Sequence, residues 1–259
     1  GHARFIGQEV EGAEQVRSAV RAQIAAGATV IKVIASGGVL TPGTSPDQAQ
    51  MTVEELQAAV DEAQRAGRKV AAHAHGSSGM KNALRAGVHS IEHATLMDEE
   101  ASAMMKQQGV FMVPTLSALA TTAACRLGCG IPESALDKAK SMTKRHHVSF
   151  KNALRDGIQI AMGTDAGTPF NFHGENAQEL ERMVALGMSP MQAILASTSA
   201  AARLIGIQDQ VGTIEKGKLA DLVLFKGNPL RHIDHLRDRS RMMGVMQSGR
   251  FVAGPISKP

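Results

Sequence analysis

Residues 52–75 read TVEELQAAVDEAQRAGRKVAAHAH, and the reading of this stretch decides the fold. Thr52 followed three residues later by Glu55 forms a capping box, which predicts a helix start, and Gly67 ends that helix. Val70 to His75 then reads as a short buried strand whose last residues include two histidines two positions apart, hence on one face.

Outward from there the same order of helix, glycine stop and apolar strand repeats. Upstream, residues 14–26 are helical, Gly27 stops them and residues 29–35 are strand. Downstream the helices are 79–86, 98–108 and 133–155, and the strands that follow them are 88–93, 110–116 and 158–163. Five strand-helix units in series imply a parallel sheet, of the kind found in a (β/α)8 barrel or a doubly wound sheet. After two more helices, 174–186 and 189–206, the pattern changes. Residues 211–225, 244–247 and 250–253 read as short strands joined by glycine turns, an antiparallel appendage too small to own a core. We divide the chain at 207, with 1–207 belonging to the barrel type and 208–259 to the appendage.

The composition bounds the function. With 259 residues, 43% hydrophobic and 20% charged, the chain can bury a large core. Its net charge of +4 is interspersed with acidic residues, and it holds seven Phe, no Trp and no Tyr, so stacking aromatics for nucleic acid are scarce. No apolar stretch is long enough to span a bilayer. Neither nucleic acid nor membrane is therefore expected as a partner. Cys125 and Cys129 read as two free thiols near a loop, with a disulfide or redox pair as the alternative.

Lys32 stands in the apolar run Val30-Ile31-Lys32-Val33-Ile34 with no countercharge nearby in sequence. An ammonium group inside such a strand costs roughly several kcal/mol to desolvate, so it must reach water, lose its proton or be modified. His73 and His75 end the second strand, His93 ends the third, and Asp165 directly follows the fifth. In parallel sheets functional groups project from these carboxyl ends, and imidazoles and carboxylates converging there suit a divalent cation. Each has a structural alternative: a hydrogen-bonded core histidine, a lysine whose head reaches the barrel mouth, an aspartate capping a turn.

The motifs Ile31-Lys32-Val33, Ala72-His73-Ala74-His75-Gly76, Ser90-Ile91-Glu92-His93-Ala94 and Gly163-Thr164-Asp165-Ala166-Gly167, in that order, resemble the amidohydrolase superfamily. Val211 to Leu224 resembles that superfamily's exit from its barrel. The resemblance is strongest to prolidase-like dipeptidases and zinc carboxypeptidases. It implies an α/β fold: a partial (β/α)8 TIM-type barrel holding strands 4–8, with a C-terminal β-sandwich portion. It also implies hydrolysis of amide or peptide C–N bonds in a dipeptide or N-acyl amino acid by metal-activated hydroxide.

Residue by residue, the resemblance makes Lys32 a carboxylated lysine bridging two metal ions, and His73 and His93 ligands of the second. Asp165 would bind the first metal and shuttle protons. His75 would lie near the substrate carboxylate, together with His2. His89, His146, His147, His173, His232 and His235 match no ligand position and are expected on the surface or in supporting positions. Zn²⁺ heads the metal candidates, with Mn²⁺ and Co²⁺ also compatible with these donors. The family's opening His-x-His pair does not occur upstream of Lys32, so the chain is expected to start after the third barrel strand and to hold one well-ligated ion instead of two. Open strand edges would then favour a homo-oligomer. Two other readings stay open: a silent or self-associating scaffold, and a deaminase or cyclic-amide hydrolase. The loops 36–50, 116–132 and 168–175 are expected to line the pocket.

Overall fold

The computed structural model describes residues 6–41, 43–126 and 129–257; His2 lies outside them. Four strands, β1 (Val30–Ile34), β2 (Lys69–Gly76), β3 (Ser90–Leu96) and β4 (Phe111–Val113), form a parallel sheet in the order of the sequence. The helices around them are α1 (Gly12–Ala25), α2 (Val53–Arg65), α3 (Ser77–Arg85), α4 (Glu99–Gln108), α5 (Leu116–Ala123) and α6 (Glu133–Asp156). The capping box at α2 is present, with Glu55 N–H donating to Thr52 Oγ1 (3.2 Å) and Thr52 N–H to Glu55 Oε2 (2.8 Å). Gly109 and Gly157 end α4 and α6 in the left-handed conformation.

Alternation along the strands assigns the two faces. Ile31, Val33, Val70, Ala72, Ala74 and Ile91 are buried in the main core with residues of the helices. Lys32, Ala71, His73, His75 and Glu92 fall on the alternate positions and so belong to the other face. In the register Ile34 pairs His73, His73 pairs Glu92 and Ala74 pairs His93, which sets the polar residues of neighbouring strands at similar heights.

Several expectations need correction. The strand predicted over 110–116 stops at Val113, because Thr115 turns left-handed and Leu116 opens α5, inside the loop expected to line the pocket. The fifth strand makes only one bridge to β4, Met112 with Ile160. Met162 N–H on its other side donates instead to the carbonyl of Ala196 (2.9 Å). That carbonyl belongs to a π turn, Ala196–Ala200, which divides the predicted helix 189–206 into α8 (Pro190–Leu195) and α9 (Ala201–Ile205); a π turn displaces carbonyls from the helical ladder. The helix expected from residue 174 is α7 (Ala177–Ala185).

Cys125 and Cys129 are joined as a disulfide rather than free, with Cα atoms 6.4 Å apart; Cys125 N–H donates to the carbonyl of Thr122 and Cys129 N–H to that of Arg126. Beyond residue 207, β5 (Leu222–Phe225), β6 (Met242–Gln247) and β7 (Arg250–Ala253) make an antiparallel three-stranded sheet. Only the last residues of the predicted 211–225 strand join it. No helix among the described residues is long and apolar enough to cross a membrane.

Candidate metal centre at the strand ends

Three buried imidazoles meet where β2 and β3 end. His73, His75 and His93 each offer a ring nitrogen, and these atoms lie within 4.8 Å of one another. His73 Nδ1 is 2.8 Å from His93 Nε2. The His75 ring stacks on that of His93 with centroids 4.5 Å apart, and the His73 ring meets both edge-on. Two threonines hold the remaining nitrogens: His75 Nδ1 is 2.8 Å from Thr95 Oγ1, and His93 Nδ1 is 2.6 Å from Thr115 Oγ1. A hydroxyl that accepts from Nδ1–H leaves Nε2 with its lone pair, the form a cation needs. Burial first, then the neighbouring histidines and Lys32, hold His93 well below the usual histidine range, so its ring is neutral at pH 7.

The backbone around these groups is unusual. Among the described residues, six other than glycine have positive φ, and four of them are His93 (73°), Ala94 (49°), Thr115 (50°) and Asp165 (54°). Such conformations cost about 1–3 kcal/mol each and gather at functional sites. The structure contains what holds them. His146, buried within α6, places Nε2 2.9 Å from the carbonyl of His93, and burial lowers its pKa to about 4. Ser149 donates to the carbonyl of Thr95 (2.8 Å). Asn171 donates to the carbonyls of Thr164 (2.6 Å) and Asp165 (3.0 Å).

The loop after β1 seals one side. Its backbone pairs Ser36 with Ala49, and Ser36 Oγ accepts from the N–H of His75 (2.9 Å). Gly76 lets it close, since a Cβ there would stand 2.6 Å from Asp47 Cα and 2.7 Å from the carbonyl oxygen of Pro46.

Asp165 is not among the grouped donors, and Lys32 faces Glu92. Lys32 Nζ lies 4.0 Å from Glu92 Oε2, so a countercharge invisible in the local sequence comes from two strands away. Of the Lys32 side-chain surface 46% is open, and it lines a cavity of about 350 Å³ shared with Glu92, Lys69, His89, Val113 and Leu204. Desolvation lowers the Lys32 pKa, against the pull of Glu92 and then Asp165. Asp165 is exposed at its strand end, yet surrounding protein raises its carboxyl above the usual range, with Lys32 opposing. Water reaches each side chain and screens both effects. They nevertheless place Lys32 within electrostatic range of Asp165 and His93.

The sequence therefore named His73 and His93, which the fold brings together, and His75, which joins them as a third nitrogen donor and not only as a neighbour of substrate. It did not single out Glu92, Thr95 or Thr115, and it left His146 among the histidines expected on the surface or in supporting positions. Glu92 alone carried a visible signal, since it precedes His93 in the quoted motif. A second group, His232, Asp234 and His235, is also close enough to hold a cation, but His232 and Asp234 are exposed. The buried set suits a divalent metal better: three convergent imidazoles, threonines on the opposite nitrogens of two, and a carboxylate and amine nearby.

Known proteins resemble this chain over most of its length. The amidohydrolase family model matches residues 3–252. The ochratoxinase of Aspergillus niger is 37% identical over 247 residues, covering 95% of this chain and 50% of that protein. A crystal structure of a Xaa-Pro dipeptidase with methionine bound in its active site superposes with TM-score 0.91 at 39% identity, over 98% of this chain and 65% of that one. A prolidase complexed with N-methylphosphonate-L-proline gives TM-score 0.90 at 35% identity, over 96% and 60%. The chain thus spans about half the length of the curated relative it matches.

Proposed function

This chain belongs to the amidohydrolase family, and from that premise we propose that it serves metal-dependent hydrolysis of an amide C–N bond in a dipeptide or N-acyl amino acid. The observation that carries the reading is the convergence of three buried imidazoles at adjacent parallel strand ends. Two structural relatives support the substrate class, one holding methionine and the other a phosphonate of proline, both built on an amino acid.

His73, His93 and His75 are the residues that would hold a divalent ion, Zn²⁺ first among the candidates. When bound, such an ion supplies Lewis acidity for the amide carbonyl and lowers the pKa of water toward about 7. Thr115 and Thr95 orient the His93 and His75 rings for that task. Asp165, which follows the segment bridged to β4, would take a proton from the attacking water and deliver it to the departing amine. Lys32, once carboxylated by carbon dioxide, would supply an anionic ligand; with Glu92 4.0 Å away, that modification would need cationic charge beside it to be stable. Mass spectrometry under native conditions would show the increment of one carbon dioxide at Lys32.

The test is turnover of a panel of dipeptides and N-acyl amino acids with metals supplied and quantified. Asp165→Asn should abolish turnover with metal content largely retained, and unchanged turnover by this variant removes its role. A second reading is a self-associating scaffold without turnover. Sedimentation together with the same panel separates the two: oligomers with no turnover on any substrate support the scaffold.

A further inference from the structure

We propose that Glu179 is a positioning residue for His93, acting through Thr115; the role rests on the metal-centre reading above. Glu179 lies on α7, fully buried, 63 residues from the backbone it holds. Its two carboxylate oxygens accept separately from successive amides, Oε1 from Leu116 N–H (2.7 Å) and Oε2 from Ser117 N–H (2.8 Å). These are orphan donors of the first turn of α5, where a carboxylate is favourable.

A single local oxygen from Ser, Thr, Asp or Asn would cap a helix at lower cost than a carboxylate carried inside from another helix. The paired contact does more, because it fixes the planes of two consecutive peptides. The residue immediately before them is Thr115, a β-branched residue at φ 50°, ψ 42°, a conformation it keeps only where its surroundings impose it. From that conformation Thr115 Oγ1 reaches His93 Nδ1 at 2.6 Å.

His93 is thereby held at three points: Nδ1 by Thr115, Nε2 against His73, and the main-chain carbonyl by His146. Only the first depends on Glu179. If the turn relaxes toward extended backbone, the hydroxyl leaves the ring and the imidazole is free to change tautomer or rotate. Burial also pushes Glu179 up to about 7, against the pull of Ser117, Leu116 and Arg182, so the environment bears a cost to keep a carboxyl at this place.

The experiment uses the full chain and two readouts. Imidazole ¹⁵N shifts of His93 at fixed pH report its tautomer without metal, and competition against a chromogenic chelator reports Zn²⁺ affinity. E179Q should mix the His93 tautomers and weaken Zn²⁺ binding by about 10–100-fold. T115V should do the same, T115S should restore the behaviour of the parent, and E179Q placed on T115V should add little, since both act through one contact. Unchanged His93 shifts in folded E179Q, or full additivity of the two substitutions, overturn the proposal. Should E179Q not fold, E179D, which keeps the charge and withdraws the oxygens by one methylene, takes its place with the same readouts. A parent chain that binds no Zn²⁺ overturns the metal-centre reading instead, and the His93 shifts still decide the role of Glu179.

Discussion

Glu179 also gives the most direct test of the buried electrostatics, through the pH dependence of stability. Burial raises its pKa from 4.5 to about 7 in the folded chain. The folded state therefore holds this proton over a range where the unfolded state has released it. The stability that Glu179 contributes is fully present below about pH 4.5 and is lost as pH rises through about 7. Each pKa unit corresponds to about 1.4 kcal/mol, so the loss is on the order of 3 kcal/mol between pH 5 and pH 8.

E179Q cannot titrate and lacks this slope. It starts lower, because an amide nitrogen now faces a backbone N–H and leaves one buried donor unpaired, at a cost of about 1–3 kcal/mol. The gap between the parent and E179Q should accordingly shrink, and can reverse, as pH rises. Urea unfolding at half-unit steps from pH 5 to 8, with equal m-values for both chains, measures it. Stability curves that run parallel across that range would refute a buried Glu179 that takes up its proton near neutral pH.

Three other outcomes follow from the same structure. His146, lowered to about 4 by burial, contributes stability that is present above about pH 6.5 and lost as pH falls through about 4; H146Q should show a shallower acid limb in urea unfolding, and an unchanged limb contradicts it. G76A must displace the Asp47 segment, since its Cβ would lie 2.6 Å from Asp47 Cα; a cost of about 1–3 kcal/mol is expected in the urea midpoint, and a midpoint equal to the parent's shows the loop is not seated on Gly76. Zn²⁺ in excess should raise the melting temperature of the parent, chelator should reverse the rise, and H73A should show none, as ligand linkage requires.

The legible and illegible parts of the chain divide along a physical line. Local signals suffice for the helix starts and stops, because Thr52 with Glu55 or a glycine at a helix end acts within four residues. They also give the alternation that puts Lys32, His73, His75 and Glu92 on one face. The short β4 is over-extended by sequence pattern because Val110 to Leu116 is apolar enough for strand or buried helix, and the left-handed Thr115 that decides between them is set from α7 by Glu179. The disulfide is hidden because four residues of separation do not say whether a turn brings two sulfurs together. Among the site residues, the histidines are visible as motifs, whereas Thr95, Thr115, His146 and Glu179 act through contacts 20 to 63 residues away in the chain, which no local pattern records.

The single bridge that ties residue 160 to β4 bears on how the centre moves. The imidazoles ride on strands laddered to their neighbours, while Asp165 follows a segment moored to one strand residue and, on its far flank, to the Ala196 carbonyl. Asp165, the proposed proton carrier, and the nitrogen donors thus answer to separate mechanical supports. Altering the turn at 196–200 becomes a way to tune the gap between them while every residue of the centre stays as it is.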